Sequence, residues 1–242
     1  MRYFALLYTP TERRGLMTAL FVIDAEIRAS VNTAHEVAHT RLQWWRGEID
    51  RLINRNAQHP ATRVVQTALP DGDFAILHEL LVAADMDLAR MTYNNDNELA
   101  AYLERSGGAI FELANERPRQ STRRAGAFVR RVETLRDLTM DVRAGRIYWP
   151  LEKLESHNLA VEQLHDTRPS AASRALVAAE ISRLRTELAA LRTSLRPLAV
   201  LIQLHAKLLD RIERAHYDVF SQRHELSPLE KVFTAWRAAR RS

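Results

Sequence analysis

Apolar positions recur along the chain at intervals of three and four, the period of a helix with one buried face. Over residues 12–32, Leu16, Ala19, Leu20, Ile23 and Ile27 form one stripe. Thr9 or Thr11 is placed to cap this helix, with Pro10 beside it. The next helix covers 41–54 and buries Leu42, Trp45, Ile49 and Leu52. Trp44 and Trp45 are adjacent and cannot both point inward, so one of them faces a second interface or a pocket. Asp71-Gly72-Asp73 reads as a turn. A helix over 74–91 follows, with Phe74, Leu77, Leu80, Leu81, Ala84 and Leu88 inward. Asp96 or Asn97 caps a helix over 98–116 that carries Gly107-Gly108 in its middle. Each glycine there costs about 1 kcal/mol relative to alanine, which marks a bend or a close approach.

A basic helix over 119–144 contains Arg119, Arg123, Arg124, Arg130, Arg131, Arg136 and Arg143. Residues 151–164 hold a short helix and a loop. Helices over 171–196 and 199–220 are separated at Pro197, the second burying Leu201, Leu204, Leu208 and Ile212. Ser227-Pro228 opens a last helix, which ends as a basic amphipathic tail around Trp236. Runs of β-branched residues, internal repeats and linkers are missing from the sequence. The pattern predicts an all-α fold, one helical domain over residues 1–242.

Composition sharpens this only a little. Hydrophobic residues are 46% and charged residues 27%, which suits a helical globular chain rather than a disordered one. The chain has no cysteine, so disulfides and thiolate chemistry are excluded. The first ten residues are too short and too weakly apolar for a signal peptide, and no run is long enough to span a bilayer. The expected location is cytoplasmic, with peripheral contact at the inner face of a membrane. The net charge of +5 is carried almost wholly by arginine, which pairs with phosphates and carboxylates in planar, bidentate fashion. That favours an anionic ligand or membrane face, and no nucleic-acid motif accompanies it.

Two stretches carry candidate chemistry. His35-Glu36-Val37-Ala38-His39 is a literal HExxH, with two imidazoles one helical turn apart. A zinc peptidase also needs a third ligand and an edge strand. His59 is the only candidate at a suitable spacing, a proline follows it, and no strand is expected nearby. A pair of surface histidines is the simpler reading. The second stretch is 135–150, LRDLTMDVRAGRIYWP. Asp137 and Asp141 lie four apart on a helix that Gly145 stops and Pro150 keeps from restarting. Like charges at that spacing repel by a few tenths of a kcal/mol, a cost offset where a hard cation sits between them. A solvated acidic face beside a capped helix end accounts for the spacing equally well.

This second stretch resembles the second aspartate motif of the squalene/phytoene synthase family, the head-to-head prenyl transferases. That motif is R-D-x-x-x-D followed by G-R-x-Y-x-P. Arg136, Asp137, Asp141, Gly145, Arg146, Tyr148 and Pro150 match it. Leu42 to Arg46 with His59-Pro60, then Asp87, Leu88 and Tyr93, then Tyr102, Ser106 and Gly107, are similar to further family elements. The resemblance implies an isoprenoid-synthase helical bundle around a central cavity. It implies substrate contacts from Tyr93, Tyr102, Arg136, Arg146 and Tyr148, and Mg2+ held by Asp137 and Asp141.

The first aspartate motif of the family is missing. Arg28, Ala29 and Asn32 stand where its acids belong, while Asp24 and Glu26 fall about a turn early. Arg28 is thus a candidate for contacting phosphate directly. On the basic helix, Arg130 and Glu133 replace the family's glutamine and asparagine, so that Glu133, Asp137 and Asp141 form an acidic stripe. The expectation is a diverged, non-catalytic member that binds a prenyl or lipid diphosphate, with Mg2+ binding weakened or lost. It is similar to the branch of the family that assists assembly of respiratory complex I at a membrane. Mg2+-dependent condensation of two prenyl diphosphates is the alternative.

Overall fold

A computed structural model of the chain describes residues 1–115, 120–191 and 195–240. Arg119, Arg192 to Ser194 and the last two residues, all within segments expected to be helical, lie outside the described residues. Helices are the only regular secondary structure among the described residues, with no strand. In order the helices are α1 (Arg2–Leu7), α2 (Thr11–Ser30), α3 (His35–Ile53), α4 (Pro60–Ala68), α5 (His78–Leu88), α6 (Asp96–Leu103), α7 (Ala109–Ala114) and α8 (Gln120–Arg136). They continue as α9 (Leu138–Arg143), α10 (Leu151–Ser156), α11 (Ala171–Ala190), α12 (Arg196–Arg214) and α13 (Pro228–Ala239). Short 3-10 turns cover Phe74–Leu77 and Val161–His165.

The stripes read from the sequence become the core. Leu16, Leu20, Ile23 and Ile27 on α2, Leu42, Trp45, Ile49 and Leu52 on α3, and Leu201, Leu204, Leu208 and Ile212 on α12 are all buried in one cluster. Trp44 is half exposed while Trp45 is buried, as their adjacency requires. The helix α8 is the hub, packing against α6, α7, α9, α11 and α12. Its Phe128, Val132 and Leu135 repeat at intervals of four and three and are buried. Truncating Phe128 to alanine is expected to cost about 3–5 kcal/mol.

Several local expectations change. Residues 2–7 form a helix of their own, packed on α2, α12 and α13. Thr9 serves that helix, its hydroxyl donating to the Ala5 carbonyl at 3.0 Å, and α2 starts after Pro10 with no side-chain cap. Asn95, rather than Asp96 or Asn97, caps α6, accepting from the amides of Asn97 and Glu98. The basic helix is broken at Asp137, which leaves the α-helical region between α8 and α9. Pro197 begins α12 instead of interrupting a helix, using a position where its missing N–H costs nothing.

The glycine pair resolves into both a bend and a close approach. Glu104–Gly108 is one π turn between α6 and α7. A Cβ on Gly107 would lie 2.7 Å from the Gly126 carbonyl of α8, and one on Gly108 would lie 2.6 Å from Arg123 Cγ. The glycines let two helix backbones touch, so this position is filled by protein.

Candidate functional site

Three side-chain clusters meet around α8. The first begins with Asp24, which Leu20, Ile23 and Ile27 carry inward on the buried face of α2. Asp24 is ion-paired to Arg2 and to Arg28, the latter at 2.6 Å. Arg28 is one turn further along α2 and also reaches across to Glu133 on α8 at 3.2 Å. Glu133 lies 3.6 Å from Arg130 and 3.8 Å from the fully buried His205 of α12. Burial alone would raise the Asp24 carboxyl, but the Arg2 and Arg28 guanidiniums outweigh it and hold it below the usual range. Glu133 is held well below its usual range by Arg28 and His205 against the same opposing burial. Glu26 points outward, as its spacing from Asp24 suggested.

The second cluster is aromatic. Tyr102 on α6 and Tyr148 in the segment after Gly145 stack at 5.2 Å, and Tyr93 packs against Tyr102 at 5.5 Å. Their common acceptor is Asp87 on α5, which takes the Tyr148 hydroxyl at 2.6 Å and the Tyr102 hydroxyl at 3.1 Å. Burial pushes all three phenols upward and keeps them protonated, which leaves Tyr102 and Tyr148 as donors to Asp87. Arg130 Nη2 donates to the Tyr102 oxygen at 3.1 Å and so joins this cluster to the first.

The third cluster holds the expected metal ligands. Asp137 is paired with Arg136 at 2.5 Å and with Arg223, from the loop before α13, at 2.6 Å. These arginines hold its carboxyl below the usual range despite burial. Asp141 has only a long pair with Arg146, 3.3 Å, and there burial wins and pushes the carboxyl up to about 6. Gly145 at φ +77° makes the turn that brings Arg146 back over Asp141. The following segment is anchored from beneath by Arg131, which donates to the Tyr148 carbonyl, pairs with buried Glu180 of α11 at 2.6 Å and lies over the Trp149 ring.

The structure therefore places Arg28 in one cluster, Tyr93, Tyr102 and Tyr148 in a second, and Arg136, Asp137, Asp141 and Arg146 in a third. The acidic stripe expected from spacing does not act together. Glu133 turns to Arg28 and His205, while Asp137 and Asp141 each take their own arginine. Among the described residues no group of three or more acidic, histidine or cysteine side chains could hold a metal ion. His35 and His39 of the HExxH lie on an exposed turn, 3.2 Å apart, and His59 Nδ1 accepts from the Ala61 amide at the start of α4. As paired here, Asp137 and Asp141 offer a cation two carboxylates that each already face a guanidinium.

Sequence reasoning missed Arg2, His205 and Arg223. Arg2 and Arg223 are isolated arginines with no local signal. His205 could have been found, since it is one turn from Leu201 and Leu209 on the buried face of α12.

A small pocket of about 10 Å3 lies between the first two clusters, lined by Arg2, Arg28, Ser106, Gly107, Arg130 and Glu133. That is room for about one water molecule. Buried Ser106 Oγ and Arg130 Nε at its wall have no hydrogen-bond partner. A buried donor without an acceptor is costly, and several together beside a guanidinium form a place for an anion.

The squalene/phytoene synthase family pattern matches residues 1–230. The phytoene synthase of Arthrospira platensis is 29% identical, aligned over 95% of this chain and 85% of its own. The 15-cis-phytoene synthase of Synechococcus elongatus is 23% identical over 91% of this chain and 82% of its own. In fold, the chain is similar to a dehydrosqualene synthase crystal structure, with a TM-score of 0.86 at 16% identity, covering 99% of this chain and 90% of that one. A squalene synthase from Alicyclobacillus acidocaldarius gives a TM-score of 0.74 at 18% identity, covering 89% and 88% of the two chains. With the family pattern covering nearly the whole chain and the helical bundle sharing the fold of these structures, the chain belongs to the squalene/phytoene synthase family.

Proposed function

We propose that this protein binds a prenyl diphosphate through arginines and does not ionise it through a two-metal clamp. The observation that carries this reading is the placement of Arg28. Its guanidinium spans from Asp24 on α2 to Glu133 on α8, so a fixed cation joins two helices where a family transferase is expected to have metal-bridged acids. A guanidinium can take a phosphate bidentately, but it repels a divalent cation. Ser106 Oγ and Arg130 Nε supply further unpaired donors at the same pocket. Its small volume means that an entering diphosphate has to draw Arg2 and Arg28 away from Asp24. That exchange keeps both guanidiniums paired but leaves Asp24 without its cations, a cost that diphosphate binding has to offset.

The relatives favour a second reading, Mg2+-dependent condensation of two prenyl diphosphates. They are phytoene synthases by name and align over more than nine-tenths of this chain. In that reading Asp137 and Asp141 would have to exchange their arginines for metal. The complex I assembly branch finds no support among these relatives.

Pyrophosphate release separates the two readings. Purified protein is incubated with farnesyl or geranylgeranyl diphosphate and Mg2+, and released pyrophosphate and hydrocarbon product are measured. The first reading expects neither. Release above that of a heat-inactivated control, abolished by Asp137→Asn, would establish the transferase instead.

A further inference from the structure

The last helix is turned the wrong way for a surface helix. In α13 the large apolar residues Leu229, Val232, Phe233 and Trp236 recur at intervals of three, one and three, which is one helical face. That face is outward: Leu229 is 82%, Val232 48%, Phe233 59% and Trp236 41% exposed. The side against the protein is made of Ala235 and Ala238, at 0% and 6%. An ordinary amphipathic helix buries its large residues and exposes its small and polar ones. Here alanines let the helix lie close on α12 and leave the bulky stripe exposed among the described residues.

The cations beside the stripe are Arg237 and Arg240, whose guanidinium lies 4.5 Å over the Trp236 ring, while Lys231 is on the inner face one turn before Ala235. The acid on this helix, Glu230, is occupied by the Ser227 amide in the capping box and by Arg211. Phe233 and Arg237 continue into an open groove of about 650 Å3 shared with Leu188, Ile202 and Lys207.

We infer that α13 is an interfacial helix that seats this protein on an anionic lipid surface, with Leu229, Val232, Phe233 and Trp236 entering the acyl boundary. Aromatic and aliphatic residues on one face with basic residues at its edges match the chemistry of an anionic headgroup layer. The helix has twelve residues, and no described helix is long and apolar enough to cross a membrane, so contact is in the plane of the surface. A second copy of the chain covering the same stripe is the other occupant, and the test below separates it from a lipid surface. This inference does not depend on what the central pocket binds.

The test is flotation of the full chain with phosphatidylcholine vesicles, with and without phosphatidylglycerol. Flotation is expected with the anionic vesicles only, weakened by salt. Partitioning should drop about fivefold for each of Arg237→Gln and Arg240→Gln. Phe233→Ser with Trp236→Ser should abolish it while leaving the melting temperature unchanged, since both side chains are exposed. No flotation of the parent chain, equal flotation on neutral vesicles, or flotation that survives the double variant would overturn the inference. So would a concentration-dependent dimer that the double variant disperses in the absence of vesicle binding.

Discussion

Asp24 on α2 and the Asp137–Asp141 pair around α9 are both acids brought inward by helical spacing, yet they end in different electrostatic settings. Asp24 is fully enclosed and held by two arginines, one of which continues to the opposite helix. Asp137 and Asp141 keep the family's residue types but are partly open, and each is answered by its own guanidinium. Under the proposed reading, Arg28 makes the first centre a cation-filled site. The other keeps its carboxylates, Asp137 compensated by two arginines and Asp141 only partly by one. Whether an acidic motif holds a metal depends on such partners, which decide whether the charge is available.

The largest test of that contrast is deletion of each acid. Asp24→Ala strands Arg2 and Arg28 in the interior and is expected to cost about 3–5 kcal/mol in denaturant unfolding. Asp137→Ala, with a partly exposed site and solvent-reachable arginines, should cost about 1 kcal/mol or less. Equal losses would contradict the distinction between the two centres.

Arg28→Asp converts the first centre back. It groups a new carboxylate with Asp24 and Glu133, which repel each other without a cation. The variant should melt lower than the parent and recover with Mg2+, by about 2.7 kcal/mol at a hundredfold excess over its dissociation constant. The parent should show no such shift. A parent stabilised by Mg2+ as strongly as the variant would remove the argument that Arg28 fills a cation site.

A smaller effect divides the second centre by pH. The Asp141 carboxyl titrates at about 6 in the folded chain, above its unfolded value near 3.8. The folded state then binds the proton more tightly, so this group's contribution to stability falls as pH rises from about 4 to about 6 and is level above that. Asp141→Asn should flatten that slope, by about 2 kcal/mol between the two ends. Asp137 and Asp24 shift the opposite way, and their contributions are present above about pH 4 and lost below it. A wild-type profile that matches Asp141→Asn between pH 4 and 6 would show that Asp141 is better solvated than its surroundings indicate.

The last effect concerns the helix contact beneath both centres. Gly107→Ala should cost about 1–3 kcal/mol, because its Cβ meets the Gly126 carbonyl rather than a yielding side chain. A neutral result in thermal melting would mean that α8 can move away from the π turn.

Most of the fold was legible because helical period and burial coincide. The stripes of α2, α3 and α12 appear at the predicted positions, and Trp44 and Trp45 divide as expected. The breaks were less legible. Asp137 leaves the helix and residues 104–108 wind into a π turn through contacts made by distant residues, which a local pattern does not contain. At the site, Tyr102 and Tyr148 meet at Asp87, a convergence that the separate motifs did not contain. The charge pairing did not follow from spacing, since Arg2 and Arg223 reach their acids from sequence-distant positions. Charge networks depend on long flexible side chains that cross between elements, and periodicity is silent about those.

The central claim is that a guanidinium cluster, not Mg2+, recognises diphosphate. Calorimetric titration of farnesyl diphosphate into the full chain in excess EDTA tests it most directly. Saturable binding in EDTA, lost in Arg28→Gln and unchanged by added Mg2+, is the expected result. No heat in EDTA and binding restored by Mg2+ would contradict it, and would return the metal to Asp137 and Asp141.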